Sequence, residues 1–209
     1  TDVKISSFNS QDLANTLWAL AKLDHHPSDD IFIAILAETI AKISSFNSQA
    51  LANTLWALAK LDHNPGEDVL NAMLEDISAK ISRFSSQGLA KIWWALAKLY
   101  HNPGEDVLDT ILAETKAKIY SFNSQELANT LWALAKLGQN PGEDILNAML
   151  AETIAKVSSF NSLALANTLS ALARLDHHPG EDFMSAMLAE TNAKLSSFDS
   201  QALANTLWA

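Results

Sequence analysis

Apolar positions recur along the chain at helical spacing, in short runs broken by proline-centred turns. Between residues 10 and 23, Leu13, Leu17, Leu20 and Ala21 fall on one stripe with Ala14 and Trp18 beside it. At about 100° per residue this is the period of an amphipathic helix and not of a strand. Asn9 or Ser10 supplies a side-chain oxygen for the unpaired amides of the first turn, so a helix A is predicted from there to about Leu23. It ends at Asp24-His25-His26-Pro27, because proline disfavours helical geometry in the residue before it and has no amide to donate. A second run follows. In residues 67–81, Val69, Leu70, Met73, Leu74, Ile77 and Ile81 form an apolar stripe opposite Glu67, Asp68, Asn71, Glu75 and Ser78. This helix B opens on paired carboxylates (Glu67-Asp68, Glu105-Asp106, Glu143-Asp144, Glu181-Asp182, with Ser28-Asp29-Asp30 in the first copy) and closes on a lysine, both matched to the helix dipole.

The two-helix pattern is periodic. The block that opens at Lys4 returns at Lys42, Lys80, Lys118, Lys156 and Lys194, each step 38 residues without insertion or deletion. Pro27, Pro65, Pro103, Pro141 and Pro179 keep the same grid, as do Phe8, Phe46, Phe84, Phe122, Phe160 and Phe198. Five full repeats, 4–41, 42–79, 80–117, 118–155 and 156–193, and a partial one, 194–209, make up one array. A single hairpin cannot bury its own apolar faces, so the expected fold is an all-α solenoid of antiparallel helix pairs stacked in register. The chain starts three residues ahead of a repeat and stops inside a helix A, which predicts a longer array with any targeting segment outside it.

Composition and charge refine this picture. Apolar residues make up 48% of the 209, which befits a chain with a continuous core, and the absence of cysteine excludes disulfides and thiolate metal sites. No apolar run approaches the roughly 20 residues that span a bilayer, so no membrane partner is expected. The net charge of −10 argues against nucleic acid, which usually meets a basic footprint. Its distribution changes the argument. The helix A windows hold six basic and two acidic residues, +4, which leaves −14 for the rest. Lys22, Lys60, Lys98, Lys136 and Arg174 recur once per repeat at the ends of the A helices, and Lys4, Lys42, Lys80, Lys118, Lys156 and Lys194 form a second ladder. Both ladders suit helix C-termini. The first equally suits a basic track along one edge.

The motif Gln-x-Leu-Ala-Asn-Thr-Leu-Trp-Ala-Leu-Ala-Lys-Leu, the 38-residue period, and a proline followed by an acidic helix B start resemble octotricopeptide repeats over the whole chain. The resemblance implies a right-handed α-superhelix that binds specific single-stranded RNA sequences in a chloroplast or mitochondrion and controls maturation, stability or translation of organelle transcripts. The chain departs from many members of that family at the turn into helix B, where it has Pro-Gly-Glu-Asp with no tryptophan.

The positions left exposed on helix A by the wheel are Gln11, Asn15, Ala19 and Lys22, with Asp12 near them. Asn15 and its equivalents Asn53, Lys91, Asn129, Asn167 and Asn205 are the candidate base readers, since an amide side chain offers both donors and an acceptor to a base edge. Position 12 varies beside it, as Asp12, Ala50, Gly88, Glu126, Ala164 and Ala202. Helical repeats that read RNA take one base per hairpin with two or three side chains, and a fixed contact beside a varying selector fits that scheme. The same residues are equally read as an asparagine ladder between repeats beside a merely solvated position. The recurrent Trp18, Trp56, Trp94, Trp132 and Trp208, with Ser170 as the gap, are expected to pack between helices and not to stack on bases.

Catalysis is not expected. The six histidines, His25, His26, His63, His101, His177 and His178, all lie in A-to-B turns, where successive repeats separate them by roughly 10 Å, too far to share one metal ion. Near-identical repeats offer no unique constellation of the kind an active site needs, and no cofactor is implied. Two classes of function follow: a module that reads about one nucleotide of single-stranded RNA per repeat, and a scaffold that binds a protein or peptide.

Overall fold

A computed structural model describes residues 5–198, so Lys4, Ala202, Asn205 and Trp208 lie outside the described residues. Among those described, all regular structure is helical. The A helices are α1 (Ser10–Lys22), α3 (Ser48–Lys60), α5 (Ser86–Leu99), α7 (Ser124–Leu137) and α9 (Ser162–Arg174), and the B helices are α2 (Asp29–Ala41), α4 (Glu67–Ala79), α6 (Glu105–Lys118), α8 (Glu143–Ala155) and α10 (Glu181–Ala193). The protein is an all-α solenoid of helical hairpins. It forms two compact units, Thr1–Glu114 and Thr115–Ala209.

Each A helix begins where a polar cap meets its orphan amides. The side chains of Asn9, Asn47, Ser85, Asn123 and Asn161 accept from the amide three residues on. In α1 and α7 the bond is returned, since Asp12 and Glu126 accept from the cap's own amide at 3.0 Å. The caps are therefore the residues at position 9, and Ser10 belongs to the helix. Its hydroxyl has another task. Ser10 donates to the Ser45 carbonyl, Ser48 to Arg83, Ser124 to Ser159 and Ser162 to Ser197, each tying an A helix to the 3-10 turn of the following repeat.

The A helices stop when one residue turns left-handed: Asp24, Asp62, Tyr100 and Asp176 lie at φ between +48° and +53°, and Gly138 at +66°. Helix B then opens after the proline. In three repeats its N-cap is a glycine with φ of +83° to +93° (Gly66, Gly142, Gly180), a conformation that side chains resist. Each B helix runs into a three-residue 3-10 turn, which the hydrophobic period does not announce, and the phenylalanine after it (Phe46, Phe84, Phe122, Phe160) is buried. Ile81 falls in this turn and is half-buried, so the buried stripe of α4 is Val69, Leu70, Met73, Leu74 and Ile77.

The second lysine ladder staples these corners. Lys42 donates to the Ser6 and Phe8 carbonyls at 2.9 and 2.7 Å, and Lys80, Lys156 and Lys194 repeat the arrangement on Ser44 and Phe46, Tyr120 and Phe122, and Ser158 and Phe160. A carboxylate one turn earlier in the same helix (Glu38, Asp76, Glu152, Glu190) completes each cage. These ammonium groups are consumed by the fold.

In the first unit α1 packs along α3 and α3 along α5, while α2 lies on α4; in the second, α7 packs along α9 and α8 meets α10. Leucines and alanines of the A helices meet Phe32, Ile35, Leu70, Met73 and Ile77 in the first unit and Leu146, Met149, Phe183 and Met187 in the second. Within each unit the A helices thus stand side by side, one face inward on the B layer and one outward.

Candidate nucleic-acid interface

The outward face of the A helices carries a recurrent polar and aromatic stripe. Gln11, Asn15, Trp18 and Lys22 all reach solvent on α1. On α3 the stripe is Gln49, Asn53, Trp56 and Lys60; on α5, Gln87, Lys91, Trp94 and Lys98; on α7, Gln125, Asn129, Trp132 and Lys136. In α9 the corresponding positions are Leu163, Asn167, Ser170 and Arg174, of which Ser170 is buried. Asn53, Lys91, Asn129 and Asn167 are half-buried, as side chains at the edge of a helix-helix seam are.

The amides are held in place by their neighbours. Gln11 Nε2 donates to Asn15 Oδ1 at 2.9 Å, and Gln125 Nε2 to Asn129 Oδ1 at 2.8 Å, one turn apart on the same helix. Asn53 Oδ1 accepts instead from Lys91 Nζ of the next repeat at 2.8 Å. In each of the three cases the oxygen is engaged and the two N–H donors of the asparagine remain for a further partner. These three asparagines are thus paired with glutamine or lysine and do not bond to one another as a ladder.

Position 12 does not belong to this surface. Asp12 is exposed, but Ala50, Gly88, Glu126 and Ala164 are buried. The reason is geometric. Position 12 lies about 60° from position 15 on the side that faces the preceding A helix, whereas Trp18 lies about 60° to the other side. No described A helix precedes α1, and there that side stays open. Once an A helix precedes, as α1 precedes α3 and α7 precedes α9, the side closes. Asp12 and Glu126 are also committed to their caps. The selector role expected for Asp12, Ala50, Gly88, Glu126 and Ala164 is therefore withdrawn. Ala19 follows the same logic: it is half-exposed, while Ala57, Ala95 and Ala133 are buried.

The tryptophans move the opposite way. Trp18 is 39% exposed, and Trp56, Trp94 and Trp132 are half-buried on the same face, while the unrepeated Trp93 is fully buried. Among the described tryptophans Trp93 alone is fully buried, and the ladder packs at the edge of the seams between A helices. Trp56 and Trp94 stand 6.1 Å apart, centroid to centroid, and tilted by 33°. Lys22 Nζ lies 5.6 Å from the Trp18 ring and 5.2 Å from Trp56, and Lys136 Nζ 4.9 Å from Trp132, within cation–π range.

Of the first lysine ladder, Lys60 and Arg174 are exposed, and Lys22, on the first helix, is open enough to lie over two rings. Lys98 and Lys136 are half-buried, and Lys98 meets Asp62 of the preceding repeat at 3.2 Å. The carbonyl cages of the second ladder are built from Lys42, Lys80, Lys156 and Lys194, not from these residues.

A family model described as the Tbc2 translation factor, N-terminal domain, matches residues 2–109 and again 66–209. The chain belongs to the Tbc2 N-terminal domain family. No curated protein matches it significantly. Among solved structures, a designed armadillo repeat protein is similar at 21% identity over 91% of this chain and 89% of that one, with a TM-score of 0.28. In this Tbc2-type array the tryptophan ladder, in its described members, lies at the seams between A helices and keeps part of each ring at the surface. The spacing Gln11, Asn15, Trp18, Lys22, with steps of four, three and four residues, is the signal that could have placed it on the Asn15 face.

Proposed function

We propose that the A-helix face binds single-stranded RNA, about one nucleotide per repeat, with the paired amides at positions 11 and 15 reading base edges and the tryptophans at position 18 offering rings to the bases. The observation that carries this reading is the Gln-Asn-Trp-Lys stripe, exposed or half-exposed and repeated on α1, α3 and α7 with the same spacing. An amide pair supplies hydrogen-bond recognition, an aromatic face supplies stacking that every base accepts, and a cation supplies phosphate contact. Membership of a family described as a translation factor supports an RNA-directed role. The octotricopeptide resemblance extends it to sequence-specific post-transcriptional control of chloroplast or mitochondrial transcripts by a non-catalytic scaffold. Lys22, Lys60, Lys98, Lys136 and Arg174 then follow the backbone, and Asn15, Asn53, Asn129, Asn167 and Asn205 contact bases.

Fluorescence polarisation with a pool of short single-stranded RNAs tests it. Wild type is expected to bind saturably, and Asn53→Ala combined with Asn129→Ala to weaken or re-specify binding. Absence of binding at micromolar protein overturns the reading in favour of a protein- or peptide-binding scaffold, which the acidic bulk of the chain would suit.

A further inference from the structure

The first B helix is apolar around its circumference. Phe32, Ile35 and Thr39 of α2 are buried, yet Ile33 and Ile40 stand 64% and 41% exposed on the other side of the helix, with exposed Ala37 between them. A surface helix ordinarily carries polar residues there, and a helix that is apolar all round is one that is covered on all sides. The other repeats keep to that rule. Ile33 stands where they have Asn71, Asp109, Asn147 and Ser185, and Ile40 where they have Ser78, Lys116 and Asn192. Ile154 on α8 shares the second position, but Asn147 interrupts its strip. In α2 the spacing of 33, 37 and 40 is i, i+4, i+7, which makes one continuous apolar strip bordered by half-buried Leu36. At the start of the strip Ile33 joins Pro27, Phe32 and His63, with His26 and Asp29, in lining an open hollow of about 250 Å³, room for one apolar side chain.

The strip has acidic borders. Asp29 and Asp30 lie four and three residues before Ile33, so both neighbour it on the helix surface, and both are exposed. On α4, against which α2 lies, exposed Asp68 and Glu75 occupy the positions that Asp30 and Ala37 occupy on α2, on the same outward side of the B layer. Packed helices stand roughly 10 Å apart, which keeps these carboxylates within about one screening length of the strip. Lys42, just past the end of α2, is taken up by the Ser6 and Phe8 carbonyls and by Glu38. A second copy of the chain would set the same carboxylates against these, and like charges across an interface cost affinity. A basic amphipathic helix meets both features, its apolar stripe covering Ile33, Ala37 and Ile40, one anchor residue filling the hollow, and its cations facing the carboxylates. We propose that the outer face of α2 is the docking site for a basic amphipathic helix of another protein. This surface belongs to the B layer and not to the Gln-Asn-Trp-Lys stripe, so the inference does not depend on RNA binding.

The probe is a fluorescein-labelled peptide of about 18 residues with leucine at i, i+4, i+7 and i+11 and lysine on the opposite face, beside a shuffled peptide of the same composition whose leucines form no stripe. Fluorescence anisotropy with the full chain should show saturable binding of the striped peptide and at least roughly tenfold weaker binding of the shuffled one. I33N/I40S, whose new side chains are those that Asn71 and Ser78 supply in the second repeat, should lose roughly tenfold or more in affinity and keep its salt dependence, since it removes only apolar burial. D30N/E75Q should do the reverse and flatten the salt dependence. Amide NMR of the full chain should place the peptide-induced shifts at Ile33, Ala37 and Ile40 and leave the corresponding Asn147, Ala151 and Ile154 of α8 unmoved. No saturable binding by wild type, equal binding of the shuffled peptide, or undiminished binding by I33N/I40S overturns the proposal. Sedimentation supplies the remaining arm: a wild-type self-association that I33N/I40S abolishes would seat a second copy on α2 and overturn it as well.

Discussion

At the scale of single residues, what separates structural lysines from available ones is not spacing but the company each keeps. Both ladders recur every 38 residues and both lie at helix ends, so the sequence presents them alike. The structure divides them: Lys80 is enclosed by two carbonyls and the Asp76 carboxylate, whereas Lys60 is exposed. Lys80→Met strands two carbonyls and a carboxylate in a half-buried corner, and the expected cost is about 2–3 kcal/mol, seen as a lower urea midpoint at unchanged slope. Lys60→Met should change stability by less than about 0.5 kcal/mol. Equal effects would show that the cages contribute nothing to stability. Histidine gives a second test. Burial holds the His63 imidazole, tilted against the Phe32 ring with centroids 4.0 Å apart, below its usual range despite Asp29, with His26 adding to the effect. Burial does the same to His101 despite Glu67, and His101 Nε2 has no hydrogen-bond partner. A base whose folded pKa is lowered binds fewer protons folded than unfolded, so stability is flat above the ordinary value of 6.5 and falls as pH drops below it. His101→Gln, the residue that Gln139 supplies in the fourth repeat, should flatten the fall in urea midpoint between about pH 7.5 and 5.5 relative to wild type. An unchanged pH profile would rule out buried His101 as a contributor.

At the scale of elements, the sequence was legible wherever one helix decides its own fate. The period, the A and B helices, the breaking prolines and the acidic B starts all follow from local chemistry, and α1 starts and stops within a residue of where its cap and its turn predict. Legibility failed where a neighbour decides. Position 12 reads as a surface residue on an isolated wheel, and only the preceding A helix shows that Ala50 and Ala164 are buried. Trp18 reads as a border residue, and the same packing rotates the exposed stripe toward it. The 3-10 turns escaped because three residues carry no period. Turn chemistry, by contrast, yields a clean prediction. Gly66 holds φ +93°, and a Cβ added there would meet no atom within 4 Å, so a side chain faces backbone strain and not a clash. Gly104 is equally uncrowded but is not among the positive-φ glycines. Gly66→Ala is therefore expected to cost about 1 kcal/mol or more, while Gly104→Ala, which restricts only the unfolded chain, should be neutral or stabilise by up to about 1 kcal/mol. Thermal unfolding of the two variants separates them. A shared loss in both would mean that open space, and not φ, governs the turn.

At the scale of the whole molecule, an acidic protein proposed to bind a polyanion has to keep its charges apart, and the repeat does so by construction. Carboxylates cluster at the exposed starts of the B helices, such as Glu67, Asp68, Glu143 and Asp144, while the A-helix windows hold six basic residues against two acidic ones. Because every repeat copies the same division, more repeats extend the cations and the carboxylates together. The cations are few, however, with five in the first ladder, of which Lys98 is already engaged by Asp62. Single-strand affinity is therefore expected to fall with salt at a log-log slope no steeper than about −3.5, the limit for about five phosphates. Duplex nucleic acid, which cannot offer unstacked bases to Trp18, Trp56 or Trp132, should compete poorly at equal phosphate concentration. The tryptophan emission of the protein is the natural probe, since these rings lie on the proposed contact face: single-stranded RNA should quench it, and raising salt should reverse the quench along that slope. A steep slope with equal duplex competition would mark simple polyelectrolyte attraction and remove the argument for reading. A shallow slope with strong quenching would instead place the larger share of affinity in stacking and amide contacts, the division that a net charge of −10 demands of any single-strand binder built this way.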